Sequence, residues 1–221
     1  MKFPFLVALL VMGAPTTALA QEGQDGQADE STAVPFADDL LSGHLQVGLS
    51  AAYAVPFGRL SNAASRSERS GPGGTFALDL NYGVDRFVAL GAYGQYSIFG
   101  GSGACDSCSA REWGAGLQVG YHPAQGLRID PWLTYGVGYR ALTVDSSEVD
   151  ALVDESARYD QLEWMRLGLG ADWYATSGWI LSPFARFSAA STLTAANEER
   201  AGRVNLRFVF GLRVALDVPG R

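Results

Sequence analysis

Two cysteines and two histidines are the residues of this chain whose types could do chemistry. Cys105 and Cys108 stand in GGSGACDSCSA, a Cys-x-x-Cys spacing that in a reducing compartment points to a redox couple or to half of a zinc site. A closed zinc site wants four ligands, and neither a second cysteine pair nor a nearby histidine supplies them. In an oxidising compartment a small loop disulfide is the stronger reading, with metal or redox chemistry and two free thiols as the alternatives. His44 and His122, with Asp217 near the same end of the pattern described below, could form a buried acid/base or metal pair. The plainer reading is two polar residues filling an interior, because a catalytic constellation is defined by a geometry that spacing does not supply. No catalytic residue, metal ligand set or cofactor is therefore assigned.

The compartment follows from the first residues. MKFPFLVALLVMGAPTTALAQ carries Lys2, an apolar run from Phe3 to Met12, and small residues ending Ala18-Leu19-Ala20. That is the layout of a secretory signal peptide over residues 1–20, cleaved after Ala20. The apolar run is far short of the ~20 residues that a spanning helix needs. Lys2 is the only lysine, so its removal takes the formal net charge from −7 to −8. Such acidity repels the phosphates of a nucleic acid and argues against one as partner. Residues 21–43, opening QEGQDGQADE, are acidic and rich in Gln and Gly, and read as a flexible tail.

From His44 onward the chain alternates. Eight segments each keep their apolar residues on one parity: HLQVGLSAAYAV, GTFALDLNYG, FVALGAYGQYSI, WGAGLQVGYH, DPWLTYGVGYRALTV, WMRLGLGADWY, WILSPFARFSAAS and RVNLRFVFGLRVALDV. A period of two over ten or so residues predicts strands rather than helices. The connections alternate as well, long then short, beginning with about 18 residues (PFGRLSNAASRSERSGPG) and then GVDR. An up-and-down sheet with that rhythm carries its four long loops at one end. The third long connection, DSSEVDALVDESARYD, is acidic, and VDALVDESARY within it could form a short amphipathic helix. The first carries Arg59, Arg66 and Arg69.

The two faces of these strands call for two environments. One bears Leu, Val, Phe, Tyr, Trp and Ala throughout, too much uniform apolar surface for water. The other bears Gly, Ser, Thr, Asn and Gln together with Asp79, Glu112, Arg140, Arg166, Asp172, Arg186, Arg207, Arg213 and Asp217. A soluble barrel would put the apolar face inside. Small and charged residues on the second face suit the narrow lumen of an inside-out barrel whose apolar face meets lipid. Gly114, Gly116 and Gly120 would leave lumen space for long side chains such as Arg140 and Arg166. Only a helix or a closed sheet satisfies its backbone in hydrocarbon, so the strands must close. At eight strands the interior is just wide enough for side chains to fill. The fold class expected over residues 44–218 is thus all-β, an eight-stranded antiparallel up-and-down transmembrane barrel.

Dimensions agree. Trp113 and Tyr121 lie on one face of one strand, roughly 27 Å apart at ~3.4 Å per residue. A tilt near 40° makes that about 21 Å of height, close to the ~25 Å apolar band of such barrels. Tyr53 and Trp113 near the long loops, and Tyr82, Tyr121 and Trp173 near the short turns, are the expected aromatic girdles.

With these features the chain resembles the small outer-membrane β-barrels of Gram-negative bacteria, of the OmpA transmembrane-domain, OmpX and OmpW type. The resemblance spans residues 44–218 and rests on architecture. It implies a bacterial outer-membrane location, with the tail and short turns in the periplasm and the long loops outside the cell. The implied partners are outer-membrane lipids, lipopolysaccharide and the barrel assembly machinery, and the implied state is a monomer. Gly211, Val214 and Leu216 match the glycine-then-apolar spacing that the machinery reads in the last strand of this group, although the chain continues through Asp217-Val218-Pro219-Gly220-Arg221 rather than ending on an aromatic.

Three functions compete. The lumen charges could pair into a plug, leaving a scaffold that displays four loops to an unnamed ligand. They could instead line a narrow OmpW-like conduit for small molecules. A lipid-modifying barrel enzyme is the third, and the placement of both histidines at the short-turn end counts against it.

Overall fold

The computed structural model of the protein describes residues 41–59, 66, 70–101, 108–124, 129–146, 155–176, 178–195 and 203–218. The proposed signal peptide and nearly all of the acidic tail lie outside them. Eight strands follow one another: β1 (Leu45–Gly58), β2 (Gly73–Gly83), β3 (Val88–Phe99), β4 (Cys108–Tyr121), β5 (Ile129–Ser146), β6 (Glu155–Tyr174), β7 (Trp179–Ala195) and β8 (Val204–Val218). Each is antiparallel to its sequence neighbour, and β8 returns to β1 to close the barrel. The closing seam runs from Leu45 opposite Val218 to Gly58 opposite Asn205, so the first and last strands are paired along their whole length. Closure leaves no strand edge with unpaired backbone groups.

The alternation decides which face is which. Along β8 every second side chain from Asn205 to Asp217 is turned inward, except where Gly211 offers none, while Phe208, Phe210, Leu212 and Val214 stand exposed. The outward face is apolar on all eight strands: Leu49 and Leu117 are 66% and 67% exposed, while Arg140 and Arg207 inside are fully buried. A water-soluble protein shows the reverse distribution.

Three features depart from the sequence reading. First, the acidic segment after the fifth strand is shorter than its composition suggested. Asp145 and Ser146 still belong to β5, and Glu155 to Asp160 already belong to β6, so the helix expected over VDALVDESARY is replaced by strand from Glu155 onward. Residues 147–154 lie outside the described set. With 18, 20 and 17 residues, β5, β6 and β7 extend further than β1 to β4 at the long-connection end. Polar residues such as Arg158 and Asp160 stand on the outer face there, so apolar alternation breaks off although strand pairing continues.

Second, β6 contains a bulge between Glu163 and Met165. Tyr159, Gln161 and Glu163 point inward before it, and Arg166 and Gly168 after it. One extra residue shifts the parity, so Glu163, which shares its parity with the outward Leu167 and Leu169, lies in the lumen at 0% exposure. Third, the lumen holds large apolar side chains as well as small and charged ones. Phe99, Trp132, Leu142, Val144 and Phe184 are buried in one cluster.

Candidate functional site

The site is the lumen itself, and its upper tier is built around two glutamates. Glu112 on β4 accepts from Arg66 Nη2 at 2.6 Å and from Arg207 Nη1 on β8, and lies 3.6 Å from Arg140 Nη1 on β5. Glu163 accepts from the Tyr93 hydroxyl of β3 at 2.6 Å, and faces Arg140 Nε at 3.7 Å, Arg166 Nη1 at 3.8 Å and Arg207 Nη2 at 3.8 Å. Asn205 Oδ1 takes a hydrogen bond from Arg66 at 3.0 Å and another from Arg140 at 3.1 Å. Arg166 also donates to Gln95 at 2.6 Å and stacks its guanidinium 3.6 Å from the centre of the Tyr93 ring. Every strand from β3 to β8 except β7 contributes to this tier, so it ties opposite walls of the barrel together.

Small residues make the tier possible. A Cβ on Gly114 would meet Arg140 Cγ at 2.9 Å and Gln95 Nε2 at 3.1 Å, so the wall of β4 is bare where Arg140 crosses it.

A second tier lies toward the short turns. Asp79 on β2 receives Arg213 Nη2 at 2.8 Å and Arg213 Nε at 3.0 Å, and is also bonded by Asn81 at 2.8 Å. Asp172 on β6 lies 3.7 Å from Arg213 Nη1, accepts from Trp132 Nε1 at 2.7 Å, and is bonded by the Ser182 hydroxyl. At the turn end itself, His44 Nδ1 lies 3.0 Å from Asp217 and His122 Nδ1 lies 3.2 Å from Asp130. Each histidine thus has a carboxylate of its own.

All nine lumen charges singled out in the sequence are buried. The structure brings Glu112 together with Arg140 and Arg207, and Asp79 and Asp172 together with Arg213. Asp217 meets a histidine, and Arg186 meets no carboxylate within ion-pair distance among the described residues. Arg66, read in the sequence as one of the charges of the first long connection, is folded inward and fully buried; burial lowers its proton affinity and Glu112 opposes that shift. Glu163, Tyr93, Gln95 and Asp130 complete the network and were missed. Glu163 fell between the acidic connection and the sixth alternating segment, and the bulge gives it the parity of the outward residues.

The outer face carries the aromatic residues. Tyr53, Tyr82, Trp113, Tyr121 and Trp173 are all exposed. Tyr53 packs against Phe210 with ring centres 5.5 Å apart, and Trp113 against Tyr139 at 5.6 Å. On β8, Val214 and Leu216 point outward, and Gly211 sits so close to β1 that a Cβ would come within 2.6 Å of Ala52 Cβ. Cys108 is the buried first residue of β4, and Cys105 lies outside the described residues.

No protein-family model matches the chain, and no curated relative does. Among solved structures, Neisserial surface protein A is 15% identical, with 78% of this chain covering 99% of that one at a TM-score of 0.52. The outer membrane protein OprG from Pseudomonas aeruginosa is 11% identical, with coverages of 80% and 96% and a TM-score of 0.49. The N-terminal β-barrel domain of Pseudomonas aeruginosa OprF is 12% identical, with 80% and 98% covered at 0.47. At 15% identity the likeness to Neisserial surface protein A concerns architecture alone, and with the closed eight-stranded up-and-down sheet it gives the chain the fold of the small bacterial outer-membrane barrels.

Proposed function

We propose that this chain is an outer-membrane barrel whose lumen is closed by its own side chains and whose role is that of a scaffold, holding four long connections at one surface for interaction. One observation carries the reading. Glu112 and Glu163 are met across the lumen by guanidiniums from β5, β6, β8 and the first long connection. A path for solute would have to separate buried charges from their partners, which costs several kcal/mol per ion. The apolar outer face and the aromatic residues at both of its ends support placement in lipid. Within this proposal residues 1–20 direct export, residues 21–43 and the short turns face the periplasm, the barrel works as a monomer, and Gly211, Val214 and Leu216 are what the assembly machinery reads. Lipopolysaccharide and outer-membrane lipids are its surroundings. The scaffold reading involves no catalysis and no cofactor.

Reconstitution in planar bilayers is the test. The purified protein is expected to give no discrete conductance steps. Steps in the wild type that vanish on Arg166→Gln or Arg207→Gln would replace the plug by a narrow conduit lined by those arginines.

A further inference from the structure

Between the two charged tiers lies Arg186, a cation without an anion. It is 92% buried on β7, its exposure being 8%. Its Nε has no hydrogen-bond partner, and no carboxylate of the described residues lies within ion-pair distance of it. Its close contact is with the Phe184 ring, whose centre is 4.8 Å from the guanidinium carbon. Opposite it on β6 stands Gly168, where Thr134 and Trp132 take up the room that a side chain would need. Arginine does not shed its proton in proteins, so this charge stays.

Arg186 borders a lumen cavity of about 30 Å³ that it shares with Thr134, Gln118, Arg213 and, toward the short turns, His122 and Gln46. That volume exceeds the ~10–15 Å³ needed for one water, and fits one small monovalent anion. Asp79 and Asp172 border the cavity too; Asp79 is bonded by Arg213 at 2.8 Å, and Asp172 turns Oδ1 toward Arg213 at 3.7 Å while its Oδ2 has no hydrogen-bond partner. The charges that Arg186 feels from above are Arg166 and Arg207, with Glu163 among them and Asp79 below. In that upper tier Arg66, Arg140, Arg166 and Arg207 share the two carboxylates Glu112 and Glu163, so the tier carries an excess of positive charge. Gln46 Nε2, a second donor lining the cavity, is likewise buried without a partner. A buried cation and a buried amide donor facing a polar space are paired by an acceptor, because leaving both unmatched is costly.

We infer that the lumen cavity at Arg186 is a binding site for one small monovalent anion of the halide class, held by the Arg186 guanidinium at the junction of the two tiers. The site is a blind pocket lined from the short-turn end, distinct from conduction through the plug. Barrel closure alone does not require it, so its failure would leave the scaffold reading standing.

Bromide and iodide are the probes. Crystals of the full-length mature protein grown in sodium bromide are expected to show an anomalous peak within about 3.5 Å of the Arg186 guanidinium. In solution, iodide replacing gluconate at constant ionic strength is expected to quench Trp132, which lines the same cavity, in a saturable manner, read in a variant retaining only that tryptophan. Arg186→Gln should weaken that saturation by about ten-fold or more, the scale of a lost charge-assisted hydrogen bond, while Arg186→Lys retains it in part. A wild-type map without bromide at Arg186, or equal saturation in Arg186→Gln, overturns the assignment.

Discussion

Arg66 and Glu112 lie 46 residues apart in sequence and meet at 2.6 Å, so the first long connection is tied at Arg66 to β4. Both side chains are fully out of solvent. Glu112 also receives Arg207, and Arg140 lies 3.6 Å away. Replacing it by Gln leaves guanidiniums buried without their counter-charge, and a loss of about 3–5 kcal/mol in unfolding free energy is expected. Arg66→Met should cost less, since Arg207 and Arg140 keep their carboxylate, and it should make the first connection more open to protease in intact cells. Urea titration in detergent, followed by heat-modifiable migration on gels, measures the first. Glu112→Gln with wild-type stability would mean that the pairs hold nothing together.

Much of the barrel was legible because lipid and a crowded lumen impose opposite demands on adjacent residues, which writes a period of two into the sequence. The inward parity of Asp79, Glu112, Arg207 and Arg213 followed directly. Three elements escaped for physical reasons. Glu163 follows the outward parity of Leu167 until the bulge moves it inward, and a bulge leaves no fixed trace in one sequence. Arg66 sits in a connection whose composition resembles any solvated loop, and its inward fold depends on Glu112 and Asn205, far away in the chain. The upper ends of β5 and β6 carry polar outward residues such as Arg158 and Asp160, so pairing continues where alternation stops. Which charge pairs with which was not legible at all, since it depends on how far each strand is staggered around the barrel.

The bare wall of β4 gives a second prediction. A Cβ at Gly114 would press on Arg140 Cγ at 2.9 Å, whereas at Gly120 the nearest atom is Ala89 Cβ at 3.7 Å. Gly114→Val should therefore displace Arg140 from Glu112 and lower stability by about 1–3 kcal/mol, the scale of overpacking. Gly120→Ala is expected to be within about 0.5 kcal/mol of wild type, as for a substitution with room to spare. Parallel urea titrations compare the two. Equal losses would show that the lumen near Arg140 is not tightly filled.

The pairing of Cys105 with Cys108 is open to a direct chemical measurement. Iodoacetamide added to the denatured but unreduced mature protein should leave its mass unchanged, and after reduction both thiols should be alkylated. Alkylation without reductant would leave the third-to-fourth connection without its clasp. Because the closed loop is short, the bond's removal by Cys105→Ser with Cys108→Ser should cost at most about 3 kcal/mol.

The membrane frame can be measured from one strand and its neighbour. Trp113 and Leu117 face outward on β4, four residues apart, while Trp132 on β5 faces the lumen with 7% exposure. Four residues span ~13 Å along a strand, or about 10 Å of height once the strand is tilted. In single-tryptophan proteins reconstituted with brominated lipids, Trp113 should be quenched best by bromines near the headgroups. A tryptophan introduced by Leu117→Trp should be quenched best by bromines near the chain ends. Trp132 should be indifferent to both, because the wall of the barrel stands between it and lipid. Quenching of Trp132 as strong as that of Trp113 would invert the two faces and, with them, the whole placement in lipid; an identical depth profile at positions 113 and 117 would remove the interface assigned to the aromatic girdle.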